Sequence, residues 1–60
     1  MTIGKRIKEA RKAKGWTQRE LSLKSNRTIS YISAIECGVY EPSSRSLMAF
    51  ERALGMRIVE

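Results

Sequence analysis

The sequence of sixty residues contains no histidine and no aspartate, one cysteine, one proline, and only one tryptophan, two tyrosines and one phenylalanine. Without histidine or aspartate, zinc-ligand spacing and imidazole-assisted nucleophiles are both missing, so no metal and no cofactor is expected. The glutamates Glu9, Glu20, Glu36, Glu41, Glu51 and Glu60 fall mostly where solvated helix faces or caps need them, and the chain does not read as an enzyme. A lone Cys37 excludes an intrachain disulfide, suits a reducing, cytoplasmic setting, and has no specified neighbour to activate it. No apolar run approaches the roughly 18 residues of a bilayer span, and the charged N-terminus is unlike a signal peptide, so neither membrane nor export is indicated. The few aromatics offer no stacking platform for single-stranded nucleic acid.

What is present is positive charge, unevenly spread. The net charge is +6; residues 1–27 hold nine Lys/Arg against two Glu, and residues 28–60 hold three against four. A basic half joined to a near-neutral half is an electrostatic footprint for a polyanion, compatible with nucleic acid or an anionic surface. The length allows one domain, residues 1–60, with a core worth roughly 3–5 kcal/mol, which makes self-association a natural supplement.

Gly4, Gly15, Gly38, Gly55 and Pro42 punctuate segments of helical length. In the first, Ile3, Ile7, Ala10 and the stem of Lys14 form an inward stripe opposite Lys5, Lys8, Glu9 and Lys12, and Gly15 ends it. Thr17 with Glu20 makes a capping box and Trp16 with Leu21 a hydrophobic staple, so a second helix starts at Thr17 and runs to Lys24 or Ser25, before a left-handed Asn26. Thr28 caps a third helix, with Ile32 and Ile35 inward and Gly38 closing it. Pro42 and Ser43 open a fourth, with Leu47, Phe50 and Leu54 inward and Gly55 at its end. The tail Met56, Arg57, Ile58 and Val59 reads either as a short strand or as the start of another helix.

At 100° per residue, Ser30, Ser33, Ala34 and Cys37 share the face of the third helix opposite Ile32 and Ile35. An ordinary solvent face carries Lys, Arg or Glu. Small uncharged residues let a helix approach another surface closely, and the major groove of DNA admits one helix. Arg6, Arg11, Arg19, Lys24 and Arg27 lie on the preceding elements.

The runs Thr17-Gln18-Arg19-Glu20-Leu21 and Ser30-Tyr31-Ile32-Ser33-Ala34-Ile35-Glu36-Cys37-Gly38, with Ile3 to Trp16 before and Glu41-Pro42-Ser43 to Gly55 after, resemble the Xre/Cro-type, lambda-repressor-like helix-turn-helix family over nearly the whole chain. The resemblance implies an all-α bundle of four to five helices, with a possible short C-terminal strand. It implies a double-stranded DNA-binding transcriptional regulator, most often a repressor, acting as a homodimer on a palindromic operator. Thr28, Ile29, Ser30, Ser33 and Ala34 match positions that face base edges. Gln18 matches a position that binds phosphate and braces the recognition helix, and phosphates are further expected at Thr17, Arg6, Arg11, Tyr31 and Arg45. Arg11 and Glu36 match a family ion pair.

The sequence departs from that pattern in three places. Ile29 stands where an amide is common and offers only apolar contact, best suited to a thymine methyl group. Ser22 and Asn26 replace the usual alanine and glycine, and Arg27 takes a position that is often apolar. A second reading, a protein-interaction module such as an antitoxin with a protein partner, rests on the tail, where Met56, Ile58 and Val59 either pair with another strand edge or complete the bundle's own core.

Overall fold

The computed structural model describes residues 2–58, which form four helices: α1 (Ile3–Ala13), α2 (Gln18–Ser25), α3 (Ile29–Glu36) and α4 (Ser44–Leu54). Each starts where a hydroxyl side chain accepts a hydrogen bond from a backbone N–H three residues on: Thr2 from Lys5, Thr17 from Glu20, Thr28 from Tyr31 and Ser43 from Ser46. The capping box is complete, since the Glu20 carboxylate accepts from the Thr17 N–H at 3.1 Å. Asn26 ends α2 in the left-handed conformation (φ 58°, ψ 42°), turning the chain into α3 within three residues, 26–28. The Ser22 hydroxyl donates to the Arg27 carbonyl across the same turn.

The core is one cluster of Ile7, Ala10, Leu21, Ile32, Ile35, Phe50, Leu54 and Ile58, with Ile3, Trp16, Tyr31, Leu47 and Ala53 packed on its edge. Two elements differ from the sequence reading. Gly4 does not separate segments; it sits buried inside α1, where a Cβ would fall on the Ile35 carbonyl oxygen and 2.8 Å from its carbonyl carbon, so its missing side chain is what lets α1 lie against α3. Lys14 does not contribute a buried stem either, because it caps α1 in solvent with its ammonium 5.5 Å from the Trp16 ring centroid.

The tail forms neither strand nor helix among the described residues. Ile58 is buried in the bundle; its N–H donates to Glu51 Oε2 at 2.8 Å and its carbonyl accepts from Arg6 Nη1 at 2.9 Å. Those backbone groups are used within the monomer, which removes Ile58 from any added strand; Val59, the other residue of that expectation, lies outside the described residues. None of the helices is long and apolar enough to cross a membrane.

Candidate nucleic-acid interface

α2 and α3 are joined by the short turn and held from behind by α1 and α4, so one side of α3 has no helix over it. On that side Thr28 and Ser30 are exposed, Ile29 retains 44% of its accessible surface, and Ser33 and Ala34 are half-buried. Thr28 spends one lone pair on the Tyr31 N–H at 3.1 Å, and its hydroxyl proton remains to be donated. Cys37 caps the far end of α3 and is exposed, in a groove that Lys5, Lys8, Lys12, Glu9 and Glu36 also line.

The end of α3 is anchored by a buried ion pair. Arg11 Nε donates to Glu36 Oε2 at 2.8 Å and Nη2 to Oε1 at 3.0 Å, a bidentate arrangement, while Nη1 reaches the Trp16 carbonyl at 2.8 Å. Gln18 Nε2 adds a third bond to Glu36, at 3.1 Å. The Glu36 hydrogen bonds raise the Arg11 pKa above its ordinary value, burial opposes them, and the charge of Glu36 adds to the rise, so the guanidinium is permanently charged. No buried side-chain N or O among the described residues is left without a partner.

This geometry separates the phosphate-binding residues expected from the sequence into two sets. The Arg11 side chain is 9% exposed and three of its donors are turned to Glu36 and Trp16, which ties it to the end of α3. Arg6 is exposed. At 100° per residue it lies 200° from Gly4, the point where α1 meets α3, and it is tied to the Ile58 carbonyl on the other side of the helix. The Thr17 hydroxyl is engaged with Glu20, so an anion at this helix end would meet the N–H groups of Gln18 and Arg19, which have no intrahelical acceptor. The Gln18 side chain braces α3 through Glu36.

Tyr31 and Arg45 stand at the start of α4. The Tyr31 hydroxyl accepts from the Ser43 N–H at 3.4 Å, and its ring lies 6.3 Å from Phe50. Hydrogen bonding to Ser46 lowers the Tyr31 pKa below the usual phenol value; desolvation opposes it, and Ser43 and the charge of Arg27 assist it. Arg27, at the apolar-favouring position, does not bury: its Nε donates to Ser46 Oγ at 2.9 Å and its Nη1 to the Asn26 carbonyl at 3.0 Å, locking the turn onto α4. No local signal points to this bond, because Ser46 is nineteen residues away.

A family model described as helix-turn-helix matches residues 7–60. The chain belongs to the helix-turn-helix family. This helix-turn-helix is 43% identical over 58 residues to an immunity repressor protein of Bacillus phage phi105, which covers 97% of the chain and 40% of the relative. It is 46% identical over 57 residues to the uncharacterized HTH-type transcriptional regulator y4dL of Sinorhizobium fredii, covering 95% of the chain and 29% of the relative. It is also 38% identical over 58 residues to multiprotein-bridging factor 1 of Candida albicans, covering 97% and 38%. The chain therefore spans less than half the length of each of these relatives. No solved structure matches it.

Proposed function

We propose that this helix-turn-helix binds double-stranded DNA as a sequence-specific transcriptional regulator, most simply a repressor, acting as a homodimer on a palindromic operator with α3 in the major groove. The observation that carries the reading is the uncharged, open side of α3, flanked by groups suited to phosphate: the first N–H groups of α2, the Tyr31 hydroxyl and Arg45. An eight-residue helix is about 12 Å long, comparable to the width of the major groove. Relatives named as a repressor and as a transcriptional regulator support the same reading. In this proposal Thr28, Ile29, Ser30, Ser33 and Ala34 face base edges. Ile29 supplies an apolar contact for a thymine methyl, and the short hydroxyls leave water and DNA shape a large share of the specificity.

Arg45, the cationic one of these three contacts, gives a dimer a slope of log K against log salt near roughly −2. Fluorescence anisotropy across salt concentrations reads it directly, and an affinity indifferent to salt overturns the proposal. Ile29→Ala is expected to weaken binding to the selected operator by about 1–2 kcal/mol while leaving random duplex nearly untouched, the pattern of a base contact. Equal losses on both DNAs contradict its role. The protein-interaction reading is not favoured, and the backbone of Ile58, satisfied inside the monomer, gives it no support.

A further inference from the structure

A cleft of about 410 Å³ lies between the α2–α3 turn and α4, and Arg27, Arg45, Met48, Ala49 and Arg52 line it. Three of its five lining residues are arginines and none is a carboxylate. Arg45, Met48, Ala49 and Arg52 follow one another at three-, four- and seven-residue spacing on one side of α4, so the two helical arginines stand about two turns, or roughly 10 Å, apart with an apolar floor between them. Arg27 closes the third side. It is held there by Ser46 and by the Asn26 carbonyl through Nε and Nη1, which leaves its Nη2 without a partner among the described residues. Arg45 and Arg52 form no ion pair among the described residues; the sole one is that of Arg11 with Glu36.

Three arginines around one cleft with no acid among its lining residues make a positive surface that favours an anion. Guanidinium groups match phosphoryl oxygens through paired N–H donors, and a group fixed in advance loses less freedom on binding. We infer that the Arg27–Arg45–Arg52 cleft is a phosphate-binding site, adding Arg27 and Arg52 to Arg45 as a three-sided clamp next to the start of α3. The phosphate has two chemical sources, a DNA backbone group flanking the bases that α3 faces, or a free phosphoester that enters the cleft. The DNA source rests on the function proposed above, and the free source does not. Because Arg27 is bonded to Ser46, and Ser46 through Ser43 to the Tyr31 hydroxyl, the clamp is also continuous with α3.

Two titrations of the folded chain test it. In the first, pyrophosphate is added without DNA and backbone amide shifts are followed; residues 26–28 and 45–52 are expected to move in the wild type and to lose most of the response in R52Q, whose side chain is exposed and forms no ion pair among the described residues. K8Q, which removes the same charge from α1, retains the response. In the second, anisotropy with operator and random duplex is expected to show R52Q weakened roughly five- to tenfold on both at 0.1 M salt, with the salt slope smaller by about 0.9 per subunit. A loss in the DNA titration alone assigns the backbone as the source, and a loss in the pyrophosphate titration alone assigns a free phosphoester. Should the wild type fail to bind any duplex, the DNA-binding proposal falls while the pyrophosphate titration still decides the clamp. If R52Q behaves as the wild type in both titrations, or K8Q loses as much of the pyrophosphate response, the clamp is overturned. R27Q repeats the measurement where it folds, and R45Q replaces it where the lost Ser46 bond prevents folding.

Discussion

Glu36→Leu is expected to leave the protein largely unfolded at 25 °C. The substitution strips Arg11 of both carboxylate bonds and Gln18 of its acceptor, and leaves a guanidinium whose side chain is 9% exposed with only the Trp16 carbonyl for a partner. Removing one partner of a buried pair typically costs about 3–5 kcal/mol, because the remaining charge stays desolvated and uncompensated. A bundle of this size has roughly that much stability in total. Urea unfolding followed by circular dichroism measures the loss. The double variant R11M/E36L is expected to recover most of it, since replacing both charges by apolar groups of similar length removes the desolvation penalty along with the attraction. A loss below about 1 kcal/mol for Glu36→Leu would mean that Arg11 reaches water and is not held by the pair as described.

The same pair bears on the two expectations that the sequence raises for Arg11, ion-pair partner and phosphate contact. A basic residue on the first helix of such a bundle satisfies both expectations as long as only its charge and its helical phase are known. What bears on both is how far the guanidinium's donors are engaged, and two bonds to Glu36, distant in the chain, and one to the nearby Trp16 carbonyl engage three of them. Arg6 presents the opposite case: its charge is exposed, yet the Ile58 carbonyl draws it to the side of α1 away from α3.

Local chemistry accounts for what was legible. The caps at Thr17 and Thr28, the left-handed Asn26 and the inward residues Ile7, Leu21, Ile32, Ile35, Phe50 and Leu54 follow from signals within four residues of each position, and the four helices lie where those signals put them. The missed features are those whose partner is distant in the chain: Gly4 against Ile35, Arg27 against Ser46, Ile58 against Arg6 and the core. For the DNA-facing side, helical phase made Ser30, Ser33 and Ala34 visible as a group. The arginine cleft stayed hidden because its members come from the turn and from both ends of α4.

Gly4→Ala separates local preference from tertiary contact most sharply, because the two predict opposite signs. Inside a helix, alanine is favoured over glycine by about 1 kcal/mol, so propensity alone makes the variant more stable. The structure places the new methyl on the Ile35 carbonyl oxygen, and the obstacle is backbone, which has no rotamer to escape into. α1 must then lift away from α3, carrying Arg11 off Glu36 at its other end, and overpacking of this kind reaches roughly 3 kcal/mol. The net expectation is a loss of about 2 kcal/mol or more, read as a lower urea midpoint. Lys8→Ala, on the exposed side of the same helix, gains slightly or stays within about 0.5 kcal/mol of the wild type. If Gly4→Ala proves as stable as Lys8→Ala, α1 does not approach α3 as described. The buried pairing of Arg11 with Glu36, which depends on that approach, would then be lost with it, and with the pairing the rigid seat on which α3 presents its open side.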